Sequence, residues 1–121
     1  MTPFGAKLRE LRRTRGLEQK AMAEALGVSA SYLSALENGR RGKPTWAMIQ
    51  KVIGYFNVIW DEAEELEKLA AMSNPRVVVD TVGLEPEATA FANELAARIA
   101  TLSPTQIADL QAVLDGSKTR P

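Results

Sequence analysis

The 121-residue chain contains no cysteine and no histidine. These absences remove disulfides, thiolate nucleophiles, imidazole bases and the usual zinc and haem ligands, so no metal centre and no cofactor are expected. An enzyme would have to work with carboxylates and hydroxyls alone. The carboxylates that cluster, such as Glu62 and Glu65, fall on a helical pattern with no neighbouring base or nucleophile, so no enzymatic activity is expected. No uncharged apolar run approaches the ~18 to 20 residues that a membrane span requires. The opening Met1-Thr2-Pro3-Phe4-Gly5 lacks a signal-peptide pattern, and a cytosolic protein with no membrane partner is expected.

Net charge is also missing, since fifteen basic residues balance fifteen acidic ones. The balance hides a segregation. Residues 1–58 hold ten basic side chains against four acidic, a surplus of six, and the remainder carries the opposite surplus. A basic first half joined to an acidic second half suggests that one part meets a polyanion and the other does something else. With 45% hydrophobic residues the chain has the composition of one small domain with an appendage. At this length it can bury roughly two-thirds of its extended surface, enough for a core without metal or disulfides.

Helix signals recur along the chain. Thr2 as N-cap and Pro3 at the first helical position open a helix with Phe4, Leu8 and Leu11 on one face, and Gly16 stops it. Glu18 to Leu26 forms a second, with Ala21, Met22 and Leu26 inward and Gly27 at its end. Ser29 caps a third that ends at Gly39. After the basic loop Arg40-Arg41-Gly42-Lys43, Pro44 or Thr45 starts a fourth with Trp46, Ile49, Ile53 and Phe56 aligned, and Asp61 caps a fifth with Leu66 and Leu69 inside. Trp46 and Trp60 are expected in the core. Ser73-Asn74-Pro75 then breaks the pattern, and the β-branched Arg76 to Val82 predicts a short strand closed by Gly83. Two more helices follow. One runs from Pro86 to about Leu102, and the other follows the capping-box spacing of Ser103-Pro104-Thr105-Gln106 and ends at Gly116.

The stretch Gln19 to Gly39, QKAMAEALGVSASYLSALENG, meets several size requirements of two helices joined by a tight turn. Ala23 is small where they cross, Gly27 permits the turn, Val28 plugs beneath it, and Leu33 and Leu36 anchor the third helix from inside. Ala30, Ser31, Tyr32, Ser34 and Ala35 then face outward as a small-residue surface able to enter a DNA major groove. Among the flanking charges, Arg9, Arg12, Arg13 and Arg15 are expected to contribute long-range field and solubility, with Arg13 or Arg15 able to touch a phosphate. Glu37 would be repelled by phosphates unless paired, with Arg40 or Arg12 as partner.

These residues resemble the Cro/CI-repressor-like, or XRE, family of helix-turn-helix transcription factors. Gln19, the Ala23/Gly27/Val28 turn, YLSALENG and Pro44 carry the resemblance, which covers about Phe4 to Ile59. It implies a five-helix lambda-repressor-like DNA-binding domain, placed over 1–72; with the strand and two helices that the residue pattern predicts over 73–116 and a frayed tail over 117–121, a mostly α chain is expected. The resemblance further implies binding to double-stranded DNA as a homodimer with the third helix in the major groove. Carried over by position, Gln19, Ser29, Asn38, Arg40, Arg41 and Lys43 would meet the phosphate backbone, and Ala30, Ser31, Tyr32, Ser34 and Ala35 the bases. The sequence departs from many relatives here, because Ser and Ala cannot form the bidentate base contacts of Gln, Arg or Asn.

A single strand cannot satisfy its own backbone groups, so Arg76 to Val82 is expected to pair with its copy in a two-fold dimer. That places Val77, Val78 and Val79 in the dimer interface with Phe91, Leu95, Ile99, Ile107 and Leu110. The operator would then be pseudo-palindromic, with half-sites about 34 Å apart. An alternative is an antitoxin or adaptor that autoregulates through the same domain and grips a protein partner through its C-terminal half.

Overall fold

The computed structural model of the chain describes residues 1–119, with side chains to residue 116. They divide into two compact units, Met1–Val77 and a second from Val78 onward. The first unit packs five helices: α1 (Pro3–Thr14), α2 (Gln19–Leu26), α3 (Ala30–Glu37), α4 (Trp46–Phe56) and α5 (Asp61–Ala71). The second holds α6 (Pro86–Arg98), a 3-10 turn (Ile99–Thr101) and α7 (Pro104–Thr119). No described helix is long and apolar enough to cross a membrane.

The helix starts follow local chemistry. Thr2, Ser29 and Thr45 each turn a side-chain oxygen onto the third amide that follows, at Gly5, Tyr32 and Met48, satisfying one orphan N–H per helix. Their inward residues make one core, in which Phe4, Leu8, Met22, Leu33, Val52, Phe56 and Leu66 are completely buried. Each such side chain stabilises the fold by roughly 1.5–3 kcal/mol relative to exposure. Helix α1 crosses α3 so closely that a Cβ on Gly5 would lie 2.6 Å from the Leu36 carbonyl oxygen. The far end of the unit is tied back by Ser73, whose buried hydroxyl accepts from the Phe4 amide (2.9 Å) and donates to the Leu69 carbonyl (2.5 Å).

The expected strand is not present. Among the described residues the chain is all-helical, and Arg76 to Val82 is irregular. Valines favour extended backbone, but a strand exists only with a ladder partner. Here Asn74 and Asp80 instead accept from the amides of Arg76 (3.1 Å) and Val82 (2.9 Å), bracketing the segment with local turns.

Other expectations fail for reasons of position. Trp46 is 71% and Trp60 81% exposed, so neither is core. Trp46 opens α4 at the rim of a shallow groove of about 390 Å³, beside Ala70 and Ala71, which are too small to cover an indole. Trp60 sits at φ 51°, in a turn whose core position is filled by Val58. Ala21 is exposed, because Met22, Ala23 and Leu26 fill the inner face of α2. Asp61 is the first residue of α5 and makes no cap; with Glu62 and Glu64 it places negative charge at the positive end of the helix. Gly116 does not end α7, which continues to Thr119, since one interior glycine costs a helix only about 1 kcal/mol. Of the tail expected to fray, Arg120 and Pro121 lie outside the described residues.

Among its described residues the second unit has helices but no core. No described residue from Val78 to Gly116 is buried. Ser103 and Gln106 form the expected capping box, each side chain accepting from the other's amide at 2.9 and 3.1 Å. Phe91 and Ile99 on α6 and its extension, and Ile107 and Leu110 on α7, are all exposed, while Leu95 is half-buried.

Candidate nucleic-acid interface

Helices α2 and α3 are joined by Gly27, Val28 and Ser29. Gly27 adopts the left-handed conformation (φ 72°), which glycine enters without a Cβ clash, and Val28 donates to the Ala23 carbonyl at 3.0 Å. Leu33, Leu36 and Glu37 form the buried side of α3. The opposite side carries the anticipated residues: Ala30 and Ser31 are exposed, and Tyr32, Ser34 and Ala35 are half-buried. Tyr32 also packs against the core.

The basic loop is held against the end of this helix. Gly39, again left-handed (φ 75°), reverses the chain, and the amides of Arg40 and Arg41 both donate to the Ala35 carbonyl at 2.9 and 3.4 Å. Arg40, Arg41 and Lys43 are exposed, and none has a salt bridge or side-chain hydrogen bond among the described residues. The Arg41 guanidinium lies over the Tyr32 ring, 5.4 Å from its centroid. Ser29 is exposed but its hydroxyl already caps α3. Gln19 opens α2, half-buried.

Glu37 is fully buried at the base of this surface. It receives two hydrogen bonds from Arg12, Nε to Oε2 at 2.9 Å and Nη2 to Oε1 at 3.0 Å, and a longer one from Arg9 Nε at 3.5 Å. Of its two candidate partners, Arg12 is the one present; no bond from Arg40 is among them. The hydrogen bond to Glu37 raises the Arg12 pKa, burial lowers it, and the nearby negative charge raises it again, leaving a net rise. Arg9 also donates to Asn38 Oδ1 at 2.8 Å, and Asn38 in turn donates to Ser34 at 3.4 Å.

The arginines of α1 and its C-cap are therefore not simply a solvated field. Arg9 and Arg12 brace α3 from behind, and Arg15 donates to the Phe56 carbonyl (2.6 Å) and lies over the Phe56 ring (5.3 Å). Arg13 alone of the four is without a partner among the described residues. Sequence reasoning also passed over Lys20, a further unpaired cation, in the first turn of α2, whose signal is its place beside Gln19. The result is a small, neutral helix face rimmed by unpaired cations, with its one acidic residue buried and neutralised. Such a surface suits a polyanion whose groove must be entered closely.

Two helices held at a three-residue turn, the second anchored by leucines and presenting its outer face, define a helix-turn-helix protein. A family model described as "Helix-turn-helix domain" matches residues 3–67, more than half of the chain, and the chain belongs to that family. The chain is similar to the "Uncharacterized HTH-type transcriptional regulator RghRB" of Bacillus subtilis (strain 168), 43% identical over 50% of this chain and 44% of the relative. It is also similar to two further proteins of that strain. One is the "Uncharacterized HTH-type transcriptional regulator YazB", 37% identical over 54% of this chain and 93% of the relative. The other is the "HTH-type transcriptional repressor RghR", 46% identical over 43% of this chain and 38% of the relative. The chain thus spans less than half the length of RghRB and RghR in these matches, and the likeness to RghRB covers only half of it.

Proposed function

We propose that this protein is a sequence-specific regulator of transcription that binds double-stranded DNA as a homodimer, with α3 in the major groove. The observation that carries this is the outer face of α3, small and neutral, between a capped N-terminus and three unpaired cations at its C-terminal end. Arg40, Arg41 and Lys43, with Gln19, Ser29 and Asn38, orient the domain on phosphates, and Ala30, Ser31, Tyr32, Ser34 and Ala35 approach the bases. The names of the relatives, two regulators and a repressor, support the reading.

Self-association is supported by the coreless second unit. Phe91, Leu95 and Ile99 recur at helical spacing, as do Ile107, Leu110 and Leu114, yet none is buried. Short helices are marginal in water unless such a stripe is covered, and a second copy offers the complementary stripe. The pairing proposed is between helices; Val77, Val78 and Val79 are exposed and also offer apolar surface to a second copy.

The test is selection of bound fragments from random duplex DNA at two salt concentrations. An inverted repeat with fixed spacing is expected, with affinity falling steeply as salt rises. No enrichment at either concentration sinks the proposal and moves weight to a protein partner gripped by the second unit.

A further inference from the structure

We infer that Tyr32 is a positioning residue that holds the Arg41 guanidinium beside the outer face of α3, and that Arg41 supplies the bidentate base contact that α3's own residues cannot make. The inference rests on the DNA-binding reading above and assigns Arg41 a reading role in place of a purely phosphate-anchoring one.

Ala30 and Ala35 have no donors, and the hydroxyls of Ser31 and Ser34 offer single bonds. Direct discrimination of guanine uses two donors set against its O6 and N7; arginine presents them as a rigid planar fork that can also stack on a ring, whereas the flexible, strongly hydrated lysine ammonium reaches the same pair without that preorganisation. The fold brings one such fork to this surface. Gly39 turns the chain back, the Arg41 amide is pinned to the Ala35 carbonyl, and the side chain runs along α3 to place its guanidinium 5.4 Å from the Tyr32 ring centroid. A ring attracts a guanidinium electrostatically without using its N–H groups. Consistent with this, the Arg41 side chain makes no hydrogen bond among the described residues, so its donors stay available. Tyr32 itself is fixed from below by its packing on the core, which leaves Arg41 fewer conformations to lose on binding. Arg40, whose amide shares the same carbonyl, has no such ring beneath it among the described contacts.

The experiment repeats the selection with the full chain and with Tyr32→Phe, Tyr32→Leu, Arg41→Lys and the Leu/Lys double variant, at two salt concentrations. The Arg41 δ-proton shifts of the free chains are recorded alongside. The native chain and Tyr32→Phe are expected to favour a guanine at one position of each half-site and to show Arg41 shifted upfield by the ring. Tyr32→Leu and Arg41→Lys should each lose roughly five- to 150-fold of that preference, the double variant no more than Arg41→Lys alone. The salt slope should not change, because the charge count does not. Retention of the guanine preference by Arg41→Lys, or equal weakening on all sequences, overturns the inference and leaves the DNA-binding reading standing. The Lys variant is informative even if Tyr32→Leu folds poorly, since Arg41 is exposed. Absence of any enriched sequence with the native chain overturns both.

Discussion

Glu37 is the acidic residue that a polyanion-binding surface could least afford to expose, and it lies fully buried under α3 with two hydrogen bonds from Arg12. Removing Arg12 leaves the buried carboxylate with only the longer 3.5 Å contact from Arg9, and a buried charge so poorly compensated costs more than the intact pair contributes. Arg12→Ala is therefore expected to destabilise the chain by about 3–5 kcal/mol, read as a lower urea midpoint at unchanged slope. Arg12→Met combined with Glu37→Met should be clearly more stable than Arg12→Ala, because no orphan charge remains; equal loss in both would mean that packing, not charge, dominates. The pH dependence follows from sign. The Arg12 pKa is raised on folding, so its contribution is complete below the ordinary arginine value and is lost only as pH climbs beyond it. Alkaline titration through pH 10 should leave this contribution intact.

At the scale of elements, α1 and α3 approach so closely that the crossing tolerates only glycine. A Cβ on Gly5 would stand 2.6 Å from the Leu36 oxygen and 2.7 Å from the Glu37 oxygen, both backbone atoms that cannot swing aside. Gly5→Ala should lower stability by about 1–3 kcal/mol through overpacking. Gly54, inside α4 with nothing within 4 Å of its Cβ position, is the opposite case. Gly54→Ala should raise stability by about 0.5–1 kcal/mol through helix propensity. Thermal unfolding of the two variants checks both signs. Four helix starts were legible because a cap is a local event: Thr2, Ser29, Thr45 and Ser103 each meet an amide three residues on, whereas Asp61, expected to cap α5, lies inside the helix and makes no cap. The strand over 76–82 was misjudged because β-propensity is also local, whereas a ladder needs a partner that the sequence pattern does not name.

On the scale of the whole molecule, the two halves differ in what they bury. Among the described residues every buried apolar side chain lies between Phe4 and Ala70, while the helices from Pro86 onward keep their apolar stripes uncovered. A dimer formed through α6 and α7 should sediment with twice the chain mass at micromolar concentration. Phe91→Asp with Ile107→Asp should return it to one chain mass without altering the amide spectrum of residues 1–77. A native chain that stays at one mass at high micromolar concentration, alone and on DNA, would rule out that dimer.

The sequence alone determined the helix-turn-helix, because the features that specify it act over a few residues: Gly27 at its left-handed turn, Ser29 on Tyr32, and leucines at helical spacing on α3. It also determined where the cations lie along the chain. Which cations remain free was decided only by tertiary structure, because those contacts join residues distant in the chain. Arg12 meets Glu37 across 25 positions, Arg15 meets Phe56 across 41, and Ser73 meets Phe4 across 69. No periodicity or propensity encodes such pairs, and only the packed helices bring Arg9 and Arg12 behind α3 while leaving Arg40, Arg41 and Lys43 at its outer edge.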